Sequence, residues 1–220
     1  MRADLILTDP NYEVPTVPSD QPPGGIAWLR ASVARFSTGD AHHRRRSLAI
    51  TLLETIDPEA LRNRAHQLAA AGTDVSRVDI LAEALGVPAP AGTVALVAAA
   101  YHPHLPAGPE HDAAVAALVQ ACGGIPDEAT AARIGLLVQA HAGMTALIDK
   151  ARGRDADADT AVARTLTEDP PVPRTRRVHN GQTVELDLGG LPFGAGPHAC
   201  PGREHAIAIV AGILAGEAAR

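Results

Sequence analysis

The sequence is poor in aromatic residues and in cysteine. Phe, Trp and Tyr make up 2% of its 220 residues, although the hydrophobic fraction is 46%. The core must therefore be built from Ala, Val, Leu and Ile, and Ala-rich apolar segments favour helices. Cys122 and Cys200 are the only two cysteines. Two distant cysteines do not form a disulfide framework in a reducing compartment, so we expect one structural cysteine and one reactive cysteine.

The sequence also lacks the usual features of membrane and nucleic-acid-binding proteins. It has no run of about 18 uninterrupted apolar residues, and its first residues do not follow the basic, apolar, small-residue order of a secretory signal. Its net charge is −6, so no general attraction to nucleic acid or to an anionic membrane is expected. The sequence predicts a cytoplasmic protein whose partners are neither nucleic acids nor membranes.

Start and stop signals divide most of the chain into helices. The run Asp57-Pro58-Glu59 is a strong helix start, and Gly72 is expected to end that helix. A longer helix is predicted from about Pro126 to Arg152, and between Ile134 and Ile148 it is apolar on nearly every face. We therefore predict one mainly α-helical domain over residues 1–220, with this buried helix at its centre.

Two segments are predicted not to be helical. The first 25 residues contain five prolines, which remove backbone donors and disfavour helix, so an extended arm or loop is expected there. The segment from Arg177 to Leu188 is predicted to be a β-hairpin around Asn180-Gly181, because that pair tolerates the positive φ angles of a tight turn. This hairpin is the only clear β-sheet signal in the sequence.

The segment Phe193–Gly202 carries the most specific chemical signal. It reads FGAGPHACPG and is followed by an apolar-periodic helix. Its three glycines allow the backbone to adopt unusual angles and to pass close to a flat object. Cys200 lies just before the helix, where the positive end of the helix dipole and free backbone N–H groups stabilise a thiolate.

This segment resembles the haem-binding loop of the cytochromes P450, whose pattern is Phe, two residues, Gly, one residue, His or Arg, one residue, Cys, one residue, Gly. The resemblance implies that Cys200 is the axial ligand of a haem b iron, that His198 contacts a haem propionate and that Phe193 packs beside the sulfur. A thiolate ligand donates electron density to haem iron, which favours O–O bond cleavage. The glycines implied to border the cofactor are Gly194, Gly196 and Gly202.

Other segments follow in the order that this family has. His42 and Arg46 resemble the residues of the family's helix that surround the haem propionates. The segment Pro170-Pro171-Val172, followed by Arg176 and Arg177, resembles the segment that delivers a propionate-binding arginine, and we select Arg177. The resemblance therefore implies an abbreviated P450-like helical fold with a small β-hairpin.

The chain departs from the family in its length and in one structural pair. A full-size member is much longer, so much of the usual substrate roof is expected to be absent. The family's Glu-x-x-Arg pair should lie just before Pro170, but the matching positions hold Arg164 and Thr167.

A further departure concerns the distal helix, where the family usually has an acid beside a Thr or Ser. In our alignment the segment 142–145 takes that place, so the acid is missing and the alcohol is kept only if Thr145 is in register. His141 and Gln139 are additional polar candidates for the catalytic pocket, although a polar residue in an apolar helix is more often a satisfied core group. The missing acid favours peroxide-driven or non-oxygenative chemistry over ordinary monooxygenase turnover.

The sequence therefore predicts a haem-thiolate oxidative enzyme, a P450-like monooxygenase or peroxygenase that acts on a small organic molecule of secondary metabolism. Two alternatives stay open: a haem-thiolate catalyst of non-oxygenative chemistry, and a non-catalytic haem-binding or accessory protein. The basic run Arg44–Arg46 could dock an acidic ferredoxin, and a second copy of the chain could cover exposed apolar surface. His102 and His104 are a weak metal candidate, because no cysteine or acidic residue clusters near them in the sequence.

Overall fold

The computed structural model describes residues 2–73 and 77–220, and within them the chain forms ten α-helices and one two-stranded sheet. The helices are α1 (Ala3–Thr8), α2 (Ile26–Ser32), α3 (Gly39–Glu54), α4 (Pro58–Ala70), α5 (Arg77–Ala84), α6 (Ala91–Ala99), α7 (Pro109–Ala121), α8 (Glu128–Arg152), α9 (Ala158–Glu168) and α10 (Arg203–Ala218). Strands β1 (Arg174–His179) and β2 (Gln182–Asp187) pair antiparallel, and short 3₁₀ turns cover Ala34–Phe36 and Gly196–His198. The predicted fold class, mainly helical with a small hairpin, is confirmed.

Helix α8 is the central helix, as the sequence predicted. The Asp127 side chain caps its first turn by accepting a hydrogen bond from the Thr130 N–H at 2.8 Å. The helix contacts α2, α3, α5, α6, α7, α9 and α10. By length and composition alone α8 could cross a membrane, but half of its most apolar window is buried inside the protein. Its hydrophobicity is therefore accounted for by its place in the core.

Helices α4 and α10 pack unusually closely because α10 has glycine at two contact positions. A Cβ added at Gly212 would collide with the Arg62 carbonyl oxygen and lie 2.9 Å from the Ala65 Cβ. A Cβ added at Gly216 would lie 2.8 Å from the Ala69 Cβ. This contact fixes α10, the helix that follows Cys200 in the chain.

The N-terminal segment differs from the predicted extended arm. Residues 3–8 form α1, which ends just before Pro10, and the first proline of the chain disfavours helix in the residue that precedes it. Ile6 and Leu7 are buried against Leu186 and Leu188. Prolines therefore prevent helix only after residue 8, and the helix before them is stabilised by packing on the hairpin.

Beyond α1 the segment is extended and adds to the edge of the hairpin. Glu13 and Val178 exchange backbone hydrogen bonds of 3.0 and 2.7 Å. The predicted turn is present, with φ of 50° at Asn180 and 75° at Gly181. The first strand begins at Arg174, three residues earlier than predicted, because pairing continues as far as the last proline of the preceding run.

Replacing Gly212 with Ala should destabilise the fold, because a Cβ there has no room against α4. The free energy of unfolding should fall by about 1–3 kcal/mol. The matched control is Gly143→Ala in α8, where an added Cβ has nothing within 4 Å, so stability should rise by about 0.5–1 kcal/mol. Urea unfolding followed by circular dichroism measures both. Equal effects of the two substitutions would contradict the close packing of α4 and α10.

Candidate functional site

The loop that carries Cys200 closes on itself through backbone hydrogen bonds. The Cys200 N–H donates to the Phe193 carbonyl at 2.8 Å, and the Ala199 N–H donates to the Gly196 carbonyl at 3.0 Å. Gly194 and Gly196 have φ angles of 71° and 68°, a region that other residues rarely adopt. The loop is therefore a defined turn, and it places Cys200 immediately before α10.

Gly196 is also the point where the N-terminal helix meets this loop. A Cβ at this position would collide with the Leu7 carbonyl and lie 3.2 Å from the Thr8 Cα. Gly202 has a different role, because its φ of −97° is open to any residue. Its backbone N–H hydrogen-bonds the Cys200 sulfur, which lowers the pKa of the thiol.

Cys200 itself lies in a positively charged environment. The residue keeps exposed surface, yet the protein packed around it raises the pKa of its thiol through desolvation. The Gly202 N–H and the charges of Arg46 and Arg35 act in the opposite direction but are weaker, so the net shift is upward. The stabilisation of the thiolate expected from the helix start is thus outweighed by burial. A metal ion would displace the proton on binding, since the thiolate is the ligand form.

Two histidines from different segments pack against each other in a tilted ring pair, and one of them, His198, belongs to the cysteine loop. The ring centroids of His42 and His198 are 3.9 Å apart. His42 is only 3% exposed, and its Nε2 is buried without a hydrogen-bond partner among the described residues. Burial lowers the pKa of His198 to about 3, and the charges of His42, Arg177, Arg46 and Arg35 contribute to that shift. The structure therefore brings His42, Arg46, Arg177 and His198 together.

Arg177 is a buried cation in this cluster. It is 5% exposed, and its guanidinium donates to the Arg176 carbonyl at 2.9 Å and contacts the Thr175 hydroxyl at 3.4 Å. In the described part of the chain it forms no ion pair with a carboxylate, and burial followed by the charge of Arg35 lowers its pKa. Arg176, by contrast, is exposed and lies 3.8 Å from the Glu185 carboxylate. A buried guanidinium without a carboxylate is costly, so this position suits an anionic ligand.

Arg35 is a member of the cluster that the sequence analysis missed. It lies in the 3₁₀ turn between α2 and α3, where its guanidinium is 5.9 Å from the Phe36 ring centroid. Its charge acts on Cys200, His198 and Arg177, so it is electrostatically close to all three. The signal available in the sequence was weak: one charged residue between the apolar Val33 and Phe36, shortly before the helix of His42.

The basic run Arg44–Arg46 is partly engaged in ion pairs within the chain. Arg44 and Arg45 both pair with Glu128, at 2.6 and 2.8 Å, and this ties α3 to the start of α8. The pairing lowers the pKa of Glu128 to about 2. Arg46 belongs to the cluster around Cys200 instead.

Helix α8 presents different residues to its two sides. Gly135 lies against Val33, since an added Cβ would be 3.0 Å from the Val33 Cγ1. With 100° per residue, the same face continues through Gln139, Ala142, Gly143 and Ala146. Gln139 is exposed on this face, and its amide donates to the Gly135 carbonyl at 3.0 Å.

Thr145 and His141 lie on the other flank of that face from Gly143. At 100° per residue they are about 80° and 120° around the helix from Gly135, and Gly143 is about 80° from it in the other direction. The Thr145 hydroxyl donates to the His141 carbonyl at 2.6 Å, and the pKa of His141 is lowered by burial and by the charge of Arg77. Thr145 and Gly143 therefore flank the Val33 contact on its two sides, and the role expected of the Thr145 hydroxyl stays a prediction.

The remaining candidates have structural surroundings. Cys122 is packed against the core, and burial raises the pKa of its thiol. Arg164 and Thr167 are both exposed on α9. The His102 and His104 rings are 5.5 Å apart, but no group of three or more His, Cys, Asp or Glu able to hold a metal ion occurs in the residues described.

These residues fit a haem rather than a bare metal ion. A sulfur ligand on a glycine-rich turn suits iron in a flat macrocycle. The buried, unpaired Arg177 and the unpartnered Nε2 of His42 suit the carboxylates at its edge. The donor set and the buried charge thus agree with one cofactor.

Comparison with known proteins supports the fold but no closer relationship. Neither a family model nor a curated protein matches the chain. A thermophilic cytochrome P450 from Sulfolobus tokodaii aligns with a TM-score of 0.72 and 14% identity, covering 97% of this chain and 83% of that one. CYP164A2 of Mycobacterium smegmatis with econazole bound aligns with a TM-score of 0.68 and 18% identity over 99% and 82% of the two chains. P450BioI, in complex with an acyl carrier protein ligated to hexadec-9Z-enoic acid, aligns with a TM-score of 0.62 and 15% identity, covering 97% of this chain and 82% of that one.

Stability should fall as the pH is lowered from 7 to 5. Burial and nearby arginines lower the pKa of His102 to about 4, below the value of about 6.5 in an unfolded chain. Between these values the unfolded state binds a proton that the folded state does not, so protonation favours unfolding. His102→Gln should reduce the loss of stability between pH 7 and pH 5, measured by urea unfolding, whereas His43→Gln on the exposed side of α3 should not. An unchanged loss in His102→Gln would contradict the burial of a neutral ring.

Proposed function

We propose that this chain, which has the cytochrome P450 fold, is a haem-thiolate enzyme that carries out oxidative chemistry on a small organic molecule. The observation that carries the proposal is the position of Cys200. It lies on a closed glycine-rich turn, and the cations whose charges act on it, the half-buried Arg46 and the exposed Arg35, have no carboxylate partner among the described residues. The other P450-like features are arranged around this one sulfur.

Each residue of the cluster has a defined task in this proposal. Cys200 would ligate the haem iron, and the Gly202 N–H hydrogen bond would stabilise its thiolate. Arg46, Arg177, His42 and His198 would hold the two carboxylates of haem b. When bound, haem supplies the redox and O–O bond chemistry, to which the thiolate contributes electron density.

The residues on the side of α8 that meets Val33 favour chemistry that does not activate dioxygen. Its residues Gln139, Ala142, Gly143 and Ala146 include no acid to deliver protons, and the Thr145 hydroxyl on its flank donates to the His141 carbonyl of its own helix. Gln139 keeps its amide oxygen and a second N–H available, and these can hydrogen-bond a small polar oxidant such as hydrogen peroxide. We infer that peroxide-driven oxidation, or a redox-neutral rearrangement, is preferred over activation of dioxygen.

The surroundings of the basic run support the same preference. Glu128 pairs with both Arg44 and Arg45 and compensates one of their two positive charges, so the docking site that we had considered for a ferredoxin is less basic than the sequence suggests. A peroxide-driven enzyme needs no such partner. We place the protein in the cytoplasm, in secondary metabolism, and a pairing of two copies stays a prediction.

A non-catalytic haem protein is the second candidate. It is favoured by α9, where the exposed Arg164 and Thr167 take the positions of the family's Glu-x-x-Arg pair. The defined geometry of the Cys200 loop argues for retained haem in either case. The experiments below separate haem binding from turnover.

The role of Cys200 can be tested by the absorption spectrum of the reduced, carbon-monoxide-bound protein. The wild-type protein loaded with hemin should show the Soret band at the long-wavelength position of thiolate-ligated haem. Cys200→Ala should lose this band because the ligand is removed, whereas Cys122→Ala, which removes the other cysteine, should keep it. A spectrum that is the same in Cys200→Ala and in the wild type would exclude Cys200 as the ligand.

The oxidant can be tested with a small aromatic thioether as the surrogate substrate. Sulfoxide should form with hydrogen peroxide, and little should form with oxygen, NADPH, a reductase and a ferredoxin. Gln139→Leu should lower the peroxide-driven rate by about tenfold or more, because it removes the hydrogen-bonding group. Thr145→Val is the matched control and should leave that rate unchanged, since the Thr145 hydroxyl bonds its own helix. Loss of activity in Thr145→Val alone would assign the hydrogen-bonding role to Thr145 instead of Gln139.

A further inference from the structure

Three guanidinium groups lie near the tilted ring pair of His42 and His198, close enough for their charges to act on His198. Arg35 comes from the 3₁₀ turn before α3, Arg46 from α3 and Arg177 from β1. In the residues that the structure describes, none of the three lies within 4 Å of a carboxylate, although most other arginines of the chain do. The cluster is therefore a concentration of uncompensated positive charge.

The haem of the proposed function does not neutralise all three groups. In its ferric form the iron, the porphyrin nitrogens and one thiolate sum to no net charge, so haem contributes only its two propionates. The three guanidinium groups carry three positive charges and the two propionates carry two negative charges. One positive charge is therefore not compensated.

Arg35 is the guanidinium best placed to be the surplus one. Arg177 is buried and Arg46 is half-buried, whereas Arg35 is exposed. The turn that carries it is held by the Ser37 hydroxyl, which donates to the Val33 carbonyl at 3.1 Å. Val33 packs against Gly135, on the face of α8 that carries Gln139. Arg35 thus extends from the turn that meets the proposed reacting face of α8.

Aromatic residues lie behind Arg35 and add a second unsatisfied polar group. The Phe36 and Tyr101 rings are 5.3 Å apart. The Tyr101 hydroxyl is buried and has no hydrogen-bond partner among the described residues, and the charge of Arg35 acts on it. Both rings are buried in the core, so they hold the turn that carries Arg35 and leave its guanidinium as the group that can meet an acidic ligand.

We propose that the substrate carries a carboxylate and that Arg35 binds it. The inference rests on the proposed function, since it takes Arg46 and Arg177 to be occupied by the haem propionates. A guanidinium binds a carboxylate through two parallel N–H···O bonds, which a neutral alcohol of the same length cannot form. The protein should therefore select acids over the corresponding alcohols.

The test compares decanoate with 1-decanol on hemin-loaded protein, by the Soret shift and by calorimetry. The wild type should bind decanoate at least about tenfold more tightly than decanol. Arg35→Ala should remove most of this preference, and Arg35→Lys, which keeps the charge, should retain part of it. Arg64→Ala removes an exposed arginine whose partner is Glu83, and it should leave the preference unchanged.

A second comparison separates a substrate carboxylate from a haem propionate. Arg35→Ala should bind hemin and hemin dimethyl ester with the same ratio of affinities as the wild type. If the substitution instead weakens hemin selectively and spares decanoate, Arg35 serves the porphyrin and the proposal is overturned. It is equally overturned if the wild type shows no preference for the acid, whether it binds both probes equally or neither. If the proposed function is wrong, the wild-type protein will lack the thiolate Soret band, which is a different result. In that case calorimetry of decanoate on the haem-free protein decides the role of Arg35.

Discussion

The arrangement depends on positive charge that is gathered around one sulfur and is not matched by carboxylates of the described chain. The burial of Arg177, and of His42 against His198, has a desolvation cost. The described chain does not offset this cost. A dianionic cofactor offsets that cost, because it binds the folded protein and not the unfolded one. Binding of the cofactor and stability of the fold are therefore coupled through this cluster.

The rest of the molecule serves to hold this cluster in place. The glycine contact between α4 and α10 fixes the helix that follows Cys200, and Gly196 lets α1 seat against the loop from the other side. Glu128 joins α3 to α8 through Arg44 and Arg45, so the helix that carries His42 and Arg46 is anchored at the centre of the fold. An abbreviated P450 fold thus keeps the elements that border the sulfur.

Strong local signals made most of this structure predictable from the sequence. The helix start at Asp57-Pro58, the turn at Asn180-Gly181 and the Cys200 loop are decided by backbone preferences within a few residues. Helix α1 was not predictable, because six residues gain their stability from Leu186, Leu188 and the Gly196 loop, which are distant in sequence. The facing of α8 could not be predicted for a geometrical reason: each residue turns the side chain by 100°, so a shift of one or two residues in the alignment changes which side chains meet Val33.

The departures from the family are mutually consistent rather than a series of separate losses. A dioxygen-activating enzyme needs both a proton relay at the distal helix and a charged surface for an electron donor. The proposed reacting face of α8 has small residues and Gln139 in place of the relay, and Glu128 pairs with two arginines of the surface and compensates one of their charges. Hydrogen peroxide already contains the electrons and protons that dioxygen has to receive. An enzyme that uses peroxide therefore needs neither the proton relay nor the surface for an electron donor. The binding of iron requires neither of them, which is why the Cys200 loop can stay intact where they are absent.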